Sequence, residues 1–248
     1  MPPPSLVRVL SALLLLIAPS TAALETDAVK YTASLSGSPE CLDKVNAARE
    51  AAGFSSFTQA TNGSNLQAPQ GDISDGEWKK MCDYLIPAQE QTYSTASFED
   101  GTYAFKSLTS EKPECESIVN YWKTAFKNFT GLPPSQNQAA DLYSNQHNIS
   151  FVALYNPSAN ATADCRVATC TKSASPGPTF FSDSASDAAE KGYALICKTM
   201  PTAFKSKDTA PFTQDQWNMI TASLTGSTIA AAPRFFLLVI SALGMMIL

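Results

Sequence analysis

The chain has 248 residues, 44% of them hydrophobic and 16% charged, with a formal charge of −5. Of its 17 Lys and Arg, Arg8 and Arg234 lie in apolar terminal segments that hold no acid, which leaves 15 bases against 22 acids, a balance near −7. That sign argues against nucleic acid and against acidic surfaces as partners, since both are held by clustered cations.

The chain begins "MPPPSLVRVLSALLLLIAPSTAA", with one cation at Arg8, an apolar stretch from Val9 to Ala18 and small residues at Ser20 and Ala22. This is the pattern of a secretory signal peptide, so residues 1–23 are expected to be removed. Residues 24–226 then form one domain, long enough to bury a substantial core. Near its start, "VKYTASL" is expected to be an edge strand.

"SGSPECLDKVNAAREAAGF" predicts a helix with Ser38 as N-cap, Pro39 at the first helical position and Glu40 in the first turn. Leu42, Val45, Ala48 and Ala52 share its face, and Gly53 closes it. A Ser/Asn/Gly-rich loop over 58–72 follows. "SDGEWKKMCDYLI" predicts a second helix, with Ser74 and Glu77 as a capping box and Trp78, Met81, Cys82 and Leu85 on one face. "PECESIVNYWKTAFKNF" predicts a third, with Cys115, Ile118, Val119, Trp122 and Phe126 at spacings of three and four.

From residue 148 the signal changes. "NISFVALYN", "ADCRVATCT" and "GYALICKTM" are short, rich in β-branched, aromatic and Cys residues, and read as strands. Residues 172–190 read as a Ser/Pro-rich loop ending in a short helix, a protease-sensitive site alongside 58–72. Lys205 and Lys207 are either a solvated turn or a contact for a sulfated glycan. "FTQDQWNMITASL" predicts a last helix, capped by Thr213 and Gln216. Helices early and strands late suggest an α+β fold in which helices cover an antiparallel sheet.

The chain closes on "AAPRFFLLVISALGMMIL". The apolar run after Arg234 is shorter than the about 20 residues that a membrane span requires, and it lacks the 3.6-residue alternation of a half-buried core helix. Small residues at Ser223, Gly226, Ser227 and Thr228, a short spacer and then the apolar tail follow the order of a glycosylphosphatidylinositol (GPI) attachment signal. Gly226 is the first choice for the lipid-bearing residue, with Ser227 and Ser223 as alternatives, and residues 227–248 are the discarded propeptide.

Cys41, Cys82, Cys115, Cys165, Cys170 and Cys197 all fall in the mature chain, and six cysteines in an exported domain imply three disulfides. Zinc is a poor rival, because there is no C-x-x-C pair and His147 is the only histidine. Asn62, Asn128, Asn148 and Asn160 begin N-glycosylation sequons, whereas Pro157 excludes Asn156.

No catalytic constellation emerges. A Ser or Cys hydrolase needs a base, and His147 is the sole imidazole; no G-x-S-x-G elbow occurs. Glu111, Glu114 and Glu116, or Glu99 and Asp100, offer a glycosidase-like acid pair only weakly, since acids are favoured at a helix start anyway. No phosphate-binding loop, dinucleotide fingerprint or calcium loop is present, so no cofactor is expected.

Leu42, Asn46, Arg49 and Gly53 resemble the N-x-x-R-x-x-x-G pattern in the first helix of the CAP superfamily, and "CRVATCT" followed by "YALICKTMP" is similar to that family's paired, cysteine-bearing strands. With the two terminal signals, the six cysteines and the "FTQDQW" helix, the whole chain resembles the GPI-anchored surface antigens (SAG) of Eimeria-type coccidian parasites. The resemblance implies a three-layer α-β-α sandwich, display on the outer leaflet of the plasma membrane by a lipid, and a non-enzymatic part in host-cell attachment or in the host immune response. It also implies a Cys170–Cys197 disulfide and a monomer that meets a host-cell protein or glycan through its loops. CAP proteins commonly hold a metal between two histidines; here Val45 stands at the first position and only His147 is left for the second, so no metal site is carried over. The alternatives are a hydrolase dependent on His147 and a protease inhibitor or decoy using the loop at Pro176–Pro178.

Overall fold

A computed structural model describes residues 29–61, 63–86, 98, 100–173 and 189–226. Both terminal signals, Ser227, Asn62, Glu99 and the loop and short helix expected within 174–188 lie outside the described residues. In chain order the elements are β1 (Lys30–Leu35), α1 (Leu42–Ala51), β2 (Thr58–Gln59), α2 (Gly76–Leu85), β3 (Thr102–Leu108), α3 (Cys115–Thr124), a 3-10 turn (Ala125–Asn128), α4 (Ala140–Ser144), α5 (Gln146–Leu154), β4 (Thr162–Ser173), β5 (Glu190–Met200) and α6 (Gln214–Thr225).

The sheet runs β1-β4-β5-β3, antiparallel throughout, with β2 added in parallel to the start of β4. Between β1 and β2 the connecting chain extends the same edge: Ser36 N donates to Val167 O and Glu40 N to Cys165 O, both at 2.8 Å. This pairing moves the start of the first helix. The backbone on either side of Ser38 is spent on β4, so the chain is still extended where the sequence would start the helix. The helix begins at Leu42, with Cys41 as a left-handed N-cap (φ 64) in place of Ser38. In α2 the N-cap is Asp75, without a side-chain cap bond, and Glu77 pairs with Lys80 Nζ at 2.8 Å. The Thr213/Gln216 capping box of α6 forms as expected.

Helices cover both faces of the sheet. On one face Ala163, Cys165, Val167, Leu195 and Cys197 pack with α1, α3, α5 and α6 around Trp122, Phe151 and Trp217. On the other, Ala168, Cys170, Ala194 and Ile196 pack against Met81, Cys82 and Leu85 of α2 and Ile86 at its C-cap. Residues 194–199 of β5 are buried without interruption, and the first four of them, Ala194 to Cys197, form a continuous apolar run without the alternation of a one-sided strand.

Residues 148–156 do not form a strand. Residues 148–154 belong to α5, in which every residue but His147 is buried, and Tyr155 is its C-cap. A helix wrapped on all sides by protein has no polar face, so its sequence lacks the period that separates helix from strand. Its polar side chains finish the edge of the sheet. Ser150 Oγ accepts from Phe105 N (3.0 Å), Gln146 Nε2 donates to Tyr103 O (3.0 Å), and Trp122 Nε1 of α3 donates to Phe105 O (3.0 Å). β3 is thereby closed to further pairing by side chains in place of another strand.

Three disulfides tie the layers: Cys41–Cys115 joins the starts of α1 and α3, Cys82–Cys170 pins α2 to β4, and Cys165–Cys197 links directly opposed residues of β4 and β5. The Cys170–Cys197 pairing implied by the CAP resemblance is therefore replaced by Cys165–Cys197. Cys165 and Cys170 are an odd number of residues apart on one strand, so they face opposite layers. Cys197 shares the layer of Cys165, while Cys170 lies opposite Gly192 and meets α2. Gly192 has no alternative there, since a Cβ would stand 2.6 Å from Leu85 Cβ and 2.8 Å from Leu85 O.

Candidate functional site

The N-x-x-R-x-x-x-G residues act as a structural clasp. Asn46 Oδ1 accepts from Phe57 N (2.8 Å) while its Nδ2 donates to Phe57 O (3.1 Å), holding the chain that leaves α1 as a strand neighbour would. Arg49, 2% exposed, donates from Nε to Ser55 O (3.0 Å) and from Nη1 to Leu154 O (3.0 Å) and Asn156 O (3.1 Å). Its guanidinium also lies 3.6 Å from the Phe57 ring centroid. Among the described residues no carboxylate is bonded to it; the charge rests on carbonyls at the C-terminal end of α5, the negative end of the helix dipole. Burial pushes this guanidinium down to about 10. Gly53, at φ 74, closes the motif as the sequence suggests.

His147 sits in the first turn of α5, half-buried and stacked on Tyr121 at 4.1 Å between centroids. Its Nε2 meets Tyr121 O at 2.5 Å and lies 3.3 Å from Thr124 Oγ1. That hydroxyl donates to Tyr121 O at 2.7 Å, so its proton is committed to a carbonyl and the imidazole is not placed as its base. Lys106 Nζ lies 3.9 Å from the centroid of the same tyrosine ring. His147 is thus a helical residue engaged by its neighbours. Among the acids, Glu111 faces Lys191 at 3.9 Å, and Glu116 stands in the first turn of α3. Among the described residues no three His, Cys, Asp or Glu side chains are grouped to hold a metal.

The structure also brings together residues that no motif marks. A cleft of about 320 Å³ opens between the start of β3 and the segment after β5, lined by Thr102, Gln136, Thr202, Phe204, Lys205 and Lys207 among others. Its walls are fixed by hydrogen bonds. Ala203 N donates to Thr102 Oγ1 (2.9 Å), Asn137 N to Lys207 O (2.8 Å), and Asn137 Nδ2 to Asp208 Oδ1 (2.6 Å). Asn156, fully buried, donates to Pro201 O (2.8 Å) and anchors the start of the segment. Tyr103 also lines the cleft, and burial raises it to about 12. The only sequence signal for this cleft is "FKSK", an aromatic residue beside two cations.

A comparison with known families places residues 37–239 in the sporozoite surface antigen (SAG) protein domain. The chain belongs to the SAG family. Over 197 residues it is 27% identical to the sporulated oocyst TA4 antigen of Eimeria tenella, covering 75% of each chain. No solved structure matches it. In this SAG domain the sequon asparagines differ sharply. Asn160 is exposed at φ 59 in the turn before β4, and Asn128 is exposed at the end of the 3-10 turn. Asn148 is 2% exposed, with its Nδ2 donated to Leu142 O (2.7 Å) and its Oδ1 taken by Asn128 (2.6 Å). The folded domain has no room for a glycan there, which removes Asn148 from the candidates. Ser223 lies within α6, its Oγ donating to Ile220 O (2.7 Å), while Gly226 is the left-handed C-cap of that helix (φ 68). No helix among the described residues is long and apolar enough to cross a membrane.

Proposed function

We propose that this SAG protein is a GPI-anchored cell-surface antigen of an invasive parasite stage, working by binding and not by catalysis, in host-cell attachment or in modulating the host immune response. Membership of the SAG family carries this reading. The apolar N-terminal stretch from Val9 to Ala18 and the apolar tail after Arg234 support export followed by exchange of the tail for a lipid on the outer leaflet. Gly226 is the proposed attachment residue: it ends the last packed helix, so a lipid there would leave the core intact. Ser227 is the alternative, and Ser223 fits less well because it is built into α6. Asn128 and Asn160 are the proposed glycan sites among the described sequons. The helix–sheet–helix stacking and the Asn46–Arg49–Gly53 clasp support reading the domain as a CAP-like monomeric scaffold that presents loops to a host protein or glycan.

The test is binding of the purified full-length protein to host-cell surfaces, with disulfide-reduced protein as the control. The reading expects saturable binding that is lost on reduction. Binding that fails to saturate, or that survives reduction unchanged, would remove the attachment role.

A further inference from the structure

The segment 201–209, which forms one wall of the 320 Å³ cleft, combines a held backbone with free side-chain ends. Its start is tied to Asn156 and Thr102, its end to Asn137, and Asp208 N donates to Ser206 Oγ at 3.2 Å. Lys205 and Lys207, both exposed, make no ion pair among the described residues, in contrast to Lys30, Lys79, Lys80, Lys172 and Lys191. Gln136 lines the same cleft, half-buried, with no hydrogen-bond partner for its side-chain amide among the described residues. Phe204 is half-buried, its ring braced edge-on by Tyr143 at 5.0 Å. The acid that follows the lysines, Asp208, is turned to Asn137. The volume lies near the lower end of the roughly 300–1,000 Å³ typical of small-molecule sites.

We propose that this cleft binds an anionic saccharide, a sulfated sugar of a host glycosaminoglycan, with Lys205 and Lys207 taking the sulfate groups, Gln136 bonding a ring hydroxyl and Phe204 lying against the C–H face of the ring. Two ammonium groups at a cleft beside an aromatic ring and an unpaired amide match a charged sugar better than an acidic peptide, which offers no flat apolar face and no array of hydroxyls. The overall negative charge does not oppose this, because at physiological salt the Debye length is about 8 Å and a ligand in the cleft feels mainly the charges beside it. The fixed backbone means that little loop ordering offsets the contacts made. This inference deepens the surface-binding reading and rests on it for its biological setting.

The experiment measures the affinity of purified full-length protein for heparin at physiological salt, with polyglutamate as the unsugared polyanion. Three variants accompany the native protein: Lys205→Gln with Lys207→Gln, Gln136→Ala, and a control, Lys112→Gln with Lys127→Gln, which makes the same charge change at exposed positions outside the cleft. We expect heparin binding to weaken about tenfold in the cleft double variant through loss of two charge-assisted contacts, and to be unchanged in the control. Gln136→Ala should weaken heparin and leave polyglutamate unaffected. All four residues replaced by Gln are exposed, so a common thermal midpoint certifies the fold. No heparin binding, equal losses in cleft and control variants, or polyglutamate bound as tightly as heparin would each overturn the proposal. Binding here is read on isolated protein, so its failure removes the ligand and leaves the lipid anchor standing, whereas failure of the anchor leaves the cleft result intact.

Discussion

Replacing Arg49 with Met keeps most of the side chain's apolar volume and removes the guanidinium. Leu154 O and Asn156 O then lose a donor in a buried site, and Ser55 O loses the Nε contact. An orphaned buried acceptor costs about 1–3 kcal/mol, so two of them, with the lost stacking on Phe57, amount to about 3–5 kcal/mol. Against a total stability of about 5–15 kcal/mol this is a large fraction. In urea, with a slope of about 2 kcal/mol per molar, the midpoint should fall by about 2 M. Arg49→Lys separates charge from geometry. The described partners of Arg49 are carbonyls, so charge alone rescues little, and a lysine cannot reproduce the forked donation to both sides of the clasp; it should lose about 1–3 kcal/mol. Equilibrium unfolding with disulfides intact, followed by tryptophan fluorescence, makes the measurement. An Arg49→Met midpoint near that of the native protein, or full rescue by lysine, would refute the clasp.

Gly192→Ala should destabilise by about 1–3 kcal/mol, because the added methyl overlaps Leu85 and forces α2 off the sheet; thermal unfolding reads this. A nick made by limited proteolysis between β4 and β5 should leave one band on a non-reducing gel and two on a reducing one, since Cys165–Cys197 spans the cut, and peptide mapping should join Cys82 to Cys170. Stability should be level through neutral pH and fall above about 10, where tyrosine ordinarily ionises. Burial raises Tyr103 to about 12 and pushes Tyr143 and Tyr155 up as well, so their contribution is complete below the unfolded value and is lost as pH rises through the folded ones. Arg49, lowered to about 10, acts in the opposite sense over the same range, but three tyrosines outweigh one arginine. A pH series of urea midpoints checks the slope. Glycopeptide analysis of the secreted protein should find no glycan on Asn148, and Asn148→Ala should unfold more easily because Leu142 O loses its donor.

What could be read from the sequence followed from how each element is exposed. Helices α1, α2, α3 and α6 each have a wet and a dry face, so their apolar spacing is visible, and β1, β4 and β5 carry the β-branched residues and cysteines of packed strands. Helix α5 was opaque for the opposite reason, being dry on every side, with Gln146 and Ser150 serving the edge of β3 and Asn148 bonding to α4. β3 escaped notice because its first four residues are buried on both faces, which erases the alternation of a one-sided strand. The pairing of Cys165 with Cys197 was within reach, since an odd spacing on one strand puts Cys165 and Cys170 in different layers; choosing between them needed the register. The Asn46–Arg49–Gly53 motif was visible, but the carbonyls Arg49 meets at and just beyond the end of α5 are more than a hundred residues away in sequence. The cleft was the least legible feature, because it joins residues near 102, 136 and 204 that share no local pattern.

Release of the protein from intact parasite cells by phosphatidylinositol-specific phospholipase C tests most directly that this domain is held at the surface by a lipid in place of its apolar tail. The account predicts that the enzyme sheds the protein into the medium, with peptide mapping ending at Gly226 or Ser227 and no residue of the tail present. Protein that stays with the membrane after treatment, or that retains the "FFLLVISALGMMIL" sequence, would contradict it.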